Sequence, residues 1–221
     1  LKVGMSNFDT LYIHNCYRNG IYITAEDFSA PPLIHENLWN NLRLYNNSGY
    51  GAYIEALDQR ATNCLIYYNT KGFYAGPYAQ VDNSHAYSNT NSGFEIAEGS
   101  MYSNCESETG IIPEGQLYGF GINAATKPIQ LVNCKMFNMR QGIRFNGNTS
   151  SFTMTGCTIT NPNQIGVYVP HDVYVQNFTS TGCTYQLFSR GTDDIKVDGG
   201  ITNALWTGNI FTGGKISSGT T

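Results

Sequence analysis

Apolar residues along this chain recur in short alternating bursts, separated by polar or glycine-bearing bends. One burst has a fixed form, glycine followed by apolar–x–apolar. It reads Gly51-Ala52-Tyr53-Ile54, Gly72-Phe73-Tyr74-Ala75, Gly93-Phe94-Glu95-Ile96, Gly119-Phe120-Gly121-Ile122, Gly142-Ile143-Arg144-Phe145 and Gly166-Val167-Tyr168-Val169, and Gly20-Ile21-Tyr22-Ile23 belongs with them. A period of two over a few β-branched and aromatic residues predicts strands with one buried face, and no 3.6-residue period is sustained to predict a helix.

A second mark precedes each of these bursts by about nine residues, a spacing on the scale of one strand plus one bend. It is an apolar-x-Asn/Gly step, then Cys or another residue, then x-apolar: Ile13-His14-Asn15-Cys16, Thr62-Asn63-Cys64-Leu65-Ile66, Val81-Asp82-Asn83-Ser84-His85-Ala86, Tyr102-Ser103-Asn104-Cys105 and Val132-Asn133-Cys134-Lys135-Met136. Met154-Thr155-Gly156-Cys157-Thr158-Ile159, Thr181-Gly182-Cys183 and Trp206-Thr207-Gly208-Asn209 follow, and Asn41-Leu42 fits the same slot. Taking positions 16, 42, 64, 84, 105, 134, 157, 183 and 209 as equivalent gives intervals of 26, 22, 20, 21, 29, 23, 26 and 26 residues. Such a period marks a solenoid. A leucine scaffold is absent, and a propeller blade would need roughly 40 residues. The expectation is an all-β chain, a right-handed single-stranded parallel β-helix of about nine coils with three short strands each, forming one domain over residues 1–221. Handedness follows the crossover rule.

The residue before each slot is Asn (15, 41, 63, 83, 104, 133) or Gly (156, 182, 208). These residues adopt positive φ most cheaply, and stacked Asn side chains can hydrogen-bond along the ladder. This explains much of the 24 Gly and a comparable wealth of Asn. The six cysteines are even in number and invite a disulfide reading. Yet Cys16, Cys64, Cys105, Cys134, Cys157 and Cys183 share one register. Neighbours there lie ~4.8 Å apart with parallel Cβ vectors, which predicts free thiols in an interior column.

Charged residues make up 13% of the chain and the net charge is −4, which excludes a generally basic nucleic-acid surface. No apolar run approaches the ~20 residues of a membrane helix, and Leu1–Thr10 lacks the apolar core of a signal peptide. A phosphate loop, a GxSxG elbow and an EF-hand pattern are absent, so no cofactor and no metal is expected. His14, His35, His85 and His171 fall on different segments without metal-ligand spacing and read as exposed. Glu26-Asp27 and Asp193-Asp194 read as solvated acidic turns.

In the glycine-marked strand the residue x points outward, giving the column Tyr22, Tyr53, Tyr74, Glu95, Gly121, Arg144 and Tyr168, and the next outward column Thr24, Glu55, Gly76, Ala97, Asn123, Asn146 and Pro170. Tyr22, Tyr53, Tyr74, Arg144 and Tyr168 are candidate binders of sugar rings, which stack on aromatics and hydrogen-bond to polar side chains. The competing reading is a ladder of aromatics that only stabilises exposed strands. Two long coils frame this face: one carries Phe28–Pro32 and Trp39, the other Thr109–Gly115. They form a binding wall or cover a subunit contact. Glu95 and Glu55 are the catalytic candidates, ~10 Å apart by strand spacing and able to close toward an inverting glycosidase pair, with Glu98 and Asp58 as substitutes. A lyase would use Arg144 with a nearby Tyr.

The coil pattern, over roughly residues 3 to 215, resembles the right-handed parallel β-helix (pectin-lyase-like) superfamily of pectate lyases, polygalacturonases, epimerases and bacteriophage tailspikes. The Asn-, Gly- and Tyr-rich, charge-poor texture is most similar to tailspikes and neck appendages. That resemblance implies a homotrimer, located in a virion tail or outside the cell, that recognises a bacterial surface polysaccharide, with degradation of that polysaccharide as the accompanying activity to test. Its partners would include neither nucleic acid nor membrane. The alternatives are a polysaccharide hydrolase or lyase not tied to a virion, and a structural shaft or adhesin. Strand-like residues at both ends suggest a fragment of a longer chain.

Overall fold

The computed structural model describes residues 6–24, 36–109, 117–160, 164–186, 193–213 and 215–218. Twenty-seven short strands among them form three parallel nine-stranded sheets. Each coil contributes one strand to each sheet. Coil 1 runs Asn7–Asp9, Tyr12–His14 and Ile21–Thr24; coil 9 runs Gly200–Thr207, Ile210–Thr212 and Lys215–Ser218. The architecture is the right-handed parallel β-helix the repeat predicts.

The bends follow the repeat with one correction. Asn41, Asn63, Asn83, Asn104 and Asn133 have φ between 46° and 56°, and Gly156, Gly182 and Gly208 lie at 60–62°. In coil 1, however, the equivalent residue is Thr10 (φ 55°), because Tyr12, Ile13 and His14 pair with Arg43, Leu44 and Tyr45. Asn15 and Cys16 therefore sit one bend later. There the Cys16 amide donates to Asn47 Oδ1 at 3.0 Å, as the Asn47 amide does to Asn69 and the Asn69 amide to Asn89. The slot column is Leu11, Leu42, Cys64, Ser84, Cys105, Cys134, Cys157, Cys183 and Asn209. The long first coil had concealed this shift. All six thiols are free, and burial pushes Cys64 up to about 11.

Asn47, Asn69 and Asn89 form a second asparagine ladder, buried inside the helix, with side-chain bonds of 2.9 and 3.1 Å. It satisfies main-chain donors at a bend where no strand partner exists.

Inward residues stack in columns. Phe73, Phe94, Phe120, Ile143, Val167 and Ile195 line the third sheet, and Leu44, Ile66, Ala86, Met136, Ile159 and Tyr185 the second. Each large side chain buried this way contributes about 1.5–3 kcal/mol. Glycine is required where coils approach closely: a Cβ on Gly72 would lie 2.0 Å from the Gly93 carbonyl oxygen.

Two expectations change here. Trp39 is not part of a surface wall. It lies in the core, stacked on Phe8 with centroids 4.2 Å apart, its Nε1 donating to Gln59 Oε1 at 3.0 Å. Asp193-Asp194 is not a turn. It opens the strand Asp193–Val197, and Asp194 points inward, 1% exposed, with neither carboxylate oxygen hydrogen-bonded. Residues 28–32, 110–115, Glu26-Asp27 and His35 lie outside the described residues.

Candidate functional site

The third sheet brings the predicted outward column together. Tyr22 pairs with Tyr53, Tyr53 with Tyr74, Tyr74 with Glu95, Glu95 with Gly121, Gly121 with Arg144 and Arg144 with Tyr168; Lys196 extends it. A second outward column precedes it. Tyr50, Lys71, Ser92, Tyr118 and Gln141, each the residue just before a motif glycine, are also in register. Those residues were not singled out from sequence, although their position before the glycine marks them as plainly as the glycine marks the first column.

The rings of Tyr22, Tyr53 and Tyr74 stack on one another at 5.4 and 4.8 Å with interplanar angles of 23° and 17°. Tyr53 has both faces covered. Tyr168 has Arg144 and Lys196 over its ring at 5.4 and 5.5 Å. The faces of Tyr53 and Tyr168, which the column offers for sugar stacking, are thus lined by neighbouring side chains of the same column. The Tyr168 hydroxyl donates to Asp198 Oδ2 at 3.0 Å. A similar ladder, not anticipated, runs His14–Tyr45–Tyr67–Tyr87 on the second sheet with centroids 4.7–4.9 Å apart.

Glu95 departs from the ladder. It is 5% exposed and sits among donors. Tyr50 Oη donates to Oε2 at 2.5 Å; Ser92 Oγ and Tyr118 Oη donate to Oε1 at 3.1 and 3.3 Å. Lys71 Nζ lies 3.0 Å from Oε1 and 3.1 Å from Tyr50 Oη. Burial and Glu95 push Tyr118 up to about 12 and raise Tyr50 as well, so both phenols stay neutral donors. Tyr74, pushed up to about 12 by burial first and then by Glu55 and Glu95, feels both carboxylates.

The expected Glu55–Glu95 pair does not form around an open space. Glu55 lies in the next column, opposite Thr24, and both Glu95 oxygens are occupied. Glu95 thus ties Lys71, Tyr50 and Tyr118 together. Glu98 does not substitute for it. Its Oε2 accepts from Thr126 Oγ1 at 2.6 Å and from the Thr126 amide at 3.0 Å, which hold the carboxyl below its ordinary range. Asp58 lies at a bend beside Arg60 and Tyr78.

Gly121 opens the next feature. A Cβ there would lie 2.5 Å from Tyr118 Cε2 and 2.8 Å from Asn146 Nδ2. Its absence lets Tyr118 fold across the column to reach Glu95. Beyond Tyr118 is a cleft of about 330 Å³ lined by Leu117, Tyr118, Arg140, Gln141, Arg144, Asn146 and Gln164. Arg144 Nη1 donates to Gln141 Oε1 at 3.3 Å. Among the described residues neither Arg140 nor Arg144 has a carboxylate partner. Two unneutralised guanidiniums, three amides and a phenol in one concave site suit an oxyanion and its flanking hydroxyls. Of the predicted residues, only Arg144 lines this cleft.

No protein-family model and no curated protein sequence matches the chain. Its fold does have solved relatives. The chain is similar to the catalytic domain of Agl-KA (TM-score 0.57, 13% identity, 97% of this chain and 48% of that one). It is also similar to pectate lyase Pel9A (TM-score 0.54, 12% identity, 98% and 68%). It thus spans about half the length of the Agl-KA catalytic domain. These likenesses establish the parallel β-helix fold.

Proposed function

We propose that the chain recognises an acidic polysaccharide through the cleft beside Tyr118. The observation that carries this reading is the Arg140–Arg144 set, which has no carboxylate partner among the described residues, in a chain whose net charge is −4. A uronate or other acid substituent would accept from the guanidiniums, and Gln141, Asn146 and Gln164 would bind the neighbouring hydroxyls. The similarity to a pectate lyase supports a polysaccharide ligand. The Asn-, Gly- and Tyr-rich texture favours a phage tailspike or neck appendage, a homotrimer that binds a bacterial surface polysaccharide outside the cell.

A depolymerase reading is favoured by the Glu95–Lys71–Tyr50–Tyr118 network, whose Tyr118 also lines the cleft. A lyase needs a cation to neutralise the uronate and a base to take its α-proton. Arg144 and Arg140 fit the first role.

A glycan array followed by titration tests the proposal. Acidic oligosaccharides should bind, and neutral ones should not. An Arg140→Ala/Arg144→Ala chain that binds as the parent does would overturn it. Incubation with the bound glycan separates the chemistries: an ultraviolet-absorbing unsaturated product marks a lyase, and new reducing ends without one mark a hydrolase. A monomer in analytical ultracentrifugation would count against the tailspike assignment.

A further inference from the structure

On the second sheet, away from the cleft, the aromatic ladder ends at Tyr87 and is followed in register by Glu108. One column over, His85 pairs with Glu106. The three side chains His85, Glu106 and Glu108 bring one nitrogen and two carboxylate oxygens within 4.8 Å of one another. His85 Nε2 lies 3.5 Å from Glu108 Oε1 and 3.9 Å from Glu106 Oε1.

Two further observations point to a ligand. The His85 ring is about one-third exposed, yet its Nε2 is shut off from solvent, carries no hydrogen bond and faces both carboxylates. And among the described residues neither Glu106 nor Glu108 has a Lys or Arg partner; Lys135, in register with Glu106, does not reach it. Two acids therefore converge on one imidazole nitrogen with no other cation to balance them. The spacings suit an ion. Bonds of 2.0–2.2 Å to imidazole and carboxylate place ligand atoms of a tetrahedral site roughly 3.3–3.6 Å apart, so small side-chain rotations close this set on a metal.

We propose that His85, Glu106 and Glu108 bind a first-row divalent metal ion, with the remaining position open to water. Mixed imidazole and carboxylate donors select such an ion over calcium or magnesium. Because His85 belongs to coil 4 and both acids to coil 5, the ion clamps adjacent coils where ring stacking stops. Sequence spacing concealed the set, since its members are brought together by the 21-residue step between coils.

Cobalt(II) added to the whole, chelator-treated chain is the test. The account expects saturable uptake with visible ligand-field bands, no thiolate-to-cobalt charge-transfer band, and a rise in Tm. His85→Ala and Glu108→Gln should each weaken uptake at least ~10-fold and abolish the Tm rise. Unsaturable uptake, a thiolate band, or affinity equal to the parent's in the variants would overturn the site. Glu108→Gln preserves shape and decides the matter if His85→Ala does not fold. Protonated His85 without metal is the rival, and predicts no uptake.

Discussion

Two halves of one column on the third sheet behave differently. In coils 1–3 the same residue type repeats, and Tyr22, Tyr53 and Tyr74 stack on each other. In coils 4–7 the residues change with each step, Glu95, Gly121, Arg144 and Tyr168, and the surface opens into a polar network and a cleft. Repetition at 4.8 Å spacing satisfies a side chain with its own copies, which stabilises the coil and consumes the binding surface. Departure from the repeat leaves donors and space for something else. The site of a solenoid is therefore sought where its columns break.

The sharpest way to test this contrast is to remove the break. Glu95→Leu would leave Lys71 and the hydroxyls of Tyr50, Ser92 and Tyr118 without their acceptor; a loss of about 2–4 kcal/mol is expected in denaturant unfolding. Arg144→Ala should instead leave stability within about 0.5 kcal/mol of the parent and lower affinity for acidic glycans by about 10- to 100-fold, one to two increments of 1.4 kcal/mol. In the ladder half the ranking reverses. Tyr53→Ala removes two stacked contacts and should cost about 1–3 kcal/mol, while glycan affinity changes less than about twofold.

Asp194 supplies a pH-dependent contrast. Burial, reinforced by Asp193, pushes its carboxyl from 3.8 up to about 6. An acid whose pKa is raised by folding is best tolerated in its protonated form. Its penalty is absent below the unfolded value, grows as pH rises from about 4 to about 6, and is complete above that. Asp194→Asn should stabilise the chain by about 1–3 kcal/mol at pH 7 and by little at pH 4, as read from denaturant midpoints at both values.

The coils were legible because their rule is strictly local: a positive-φ Asn or Gly, an apolar slot, and a glycine-marked strand. The register of coil 1 was misread because Asn15-Cys16 imitates that rule one bend too late, while Thr10-Leu11 fills the position without its signature residues. The site was half legible. Alternation revealed the Tyr22–Tyr168 column, including Arg144. It did not reveal that Tyr118, three residues before Gly121, turns into the space that glycine leaves, or that Lys71 and Tyr50 converge on Glu95. The contacts of Tyr50, Lys71 and Tyr118 with Glu95 join residues 20 or more positions apart through side-chain direction, which a period does not encode. Trp39 was misplaced for the same reason: its long coil suggested a surface wall, whereas its strand position points it inward.

The central claim is that recognition lies at the broken half of the column and not along the ladder. Titrating one acidic oligosaccharide into the parent chain, Arg144→Ala and Tyr53→Ala tests it directly. The account predicts parent-like binding by Tyr53→Ala and affinity about 10- to 100-fold weaker in Arg144→Ala; parent-like affinity in Arg144→Ala with binding weakened in Tyr53→Ala would contradict it.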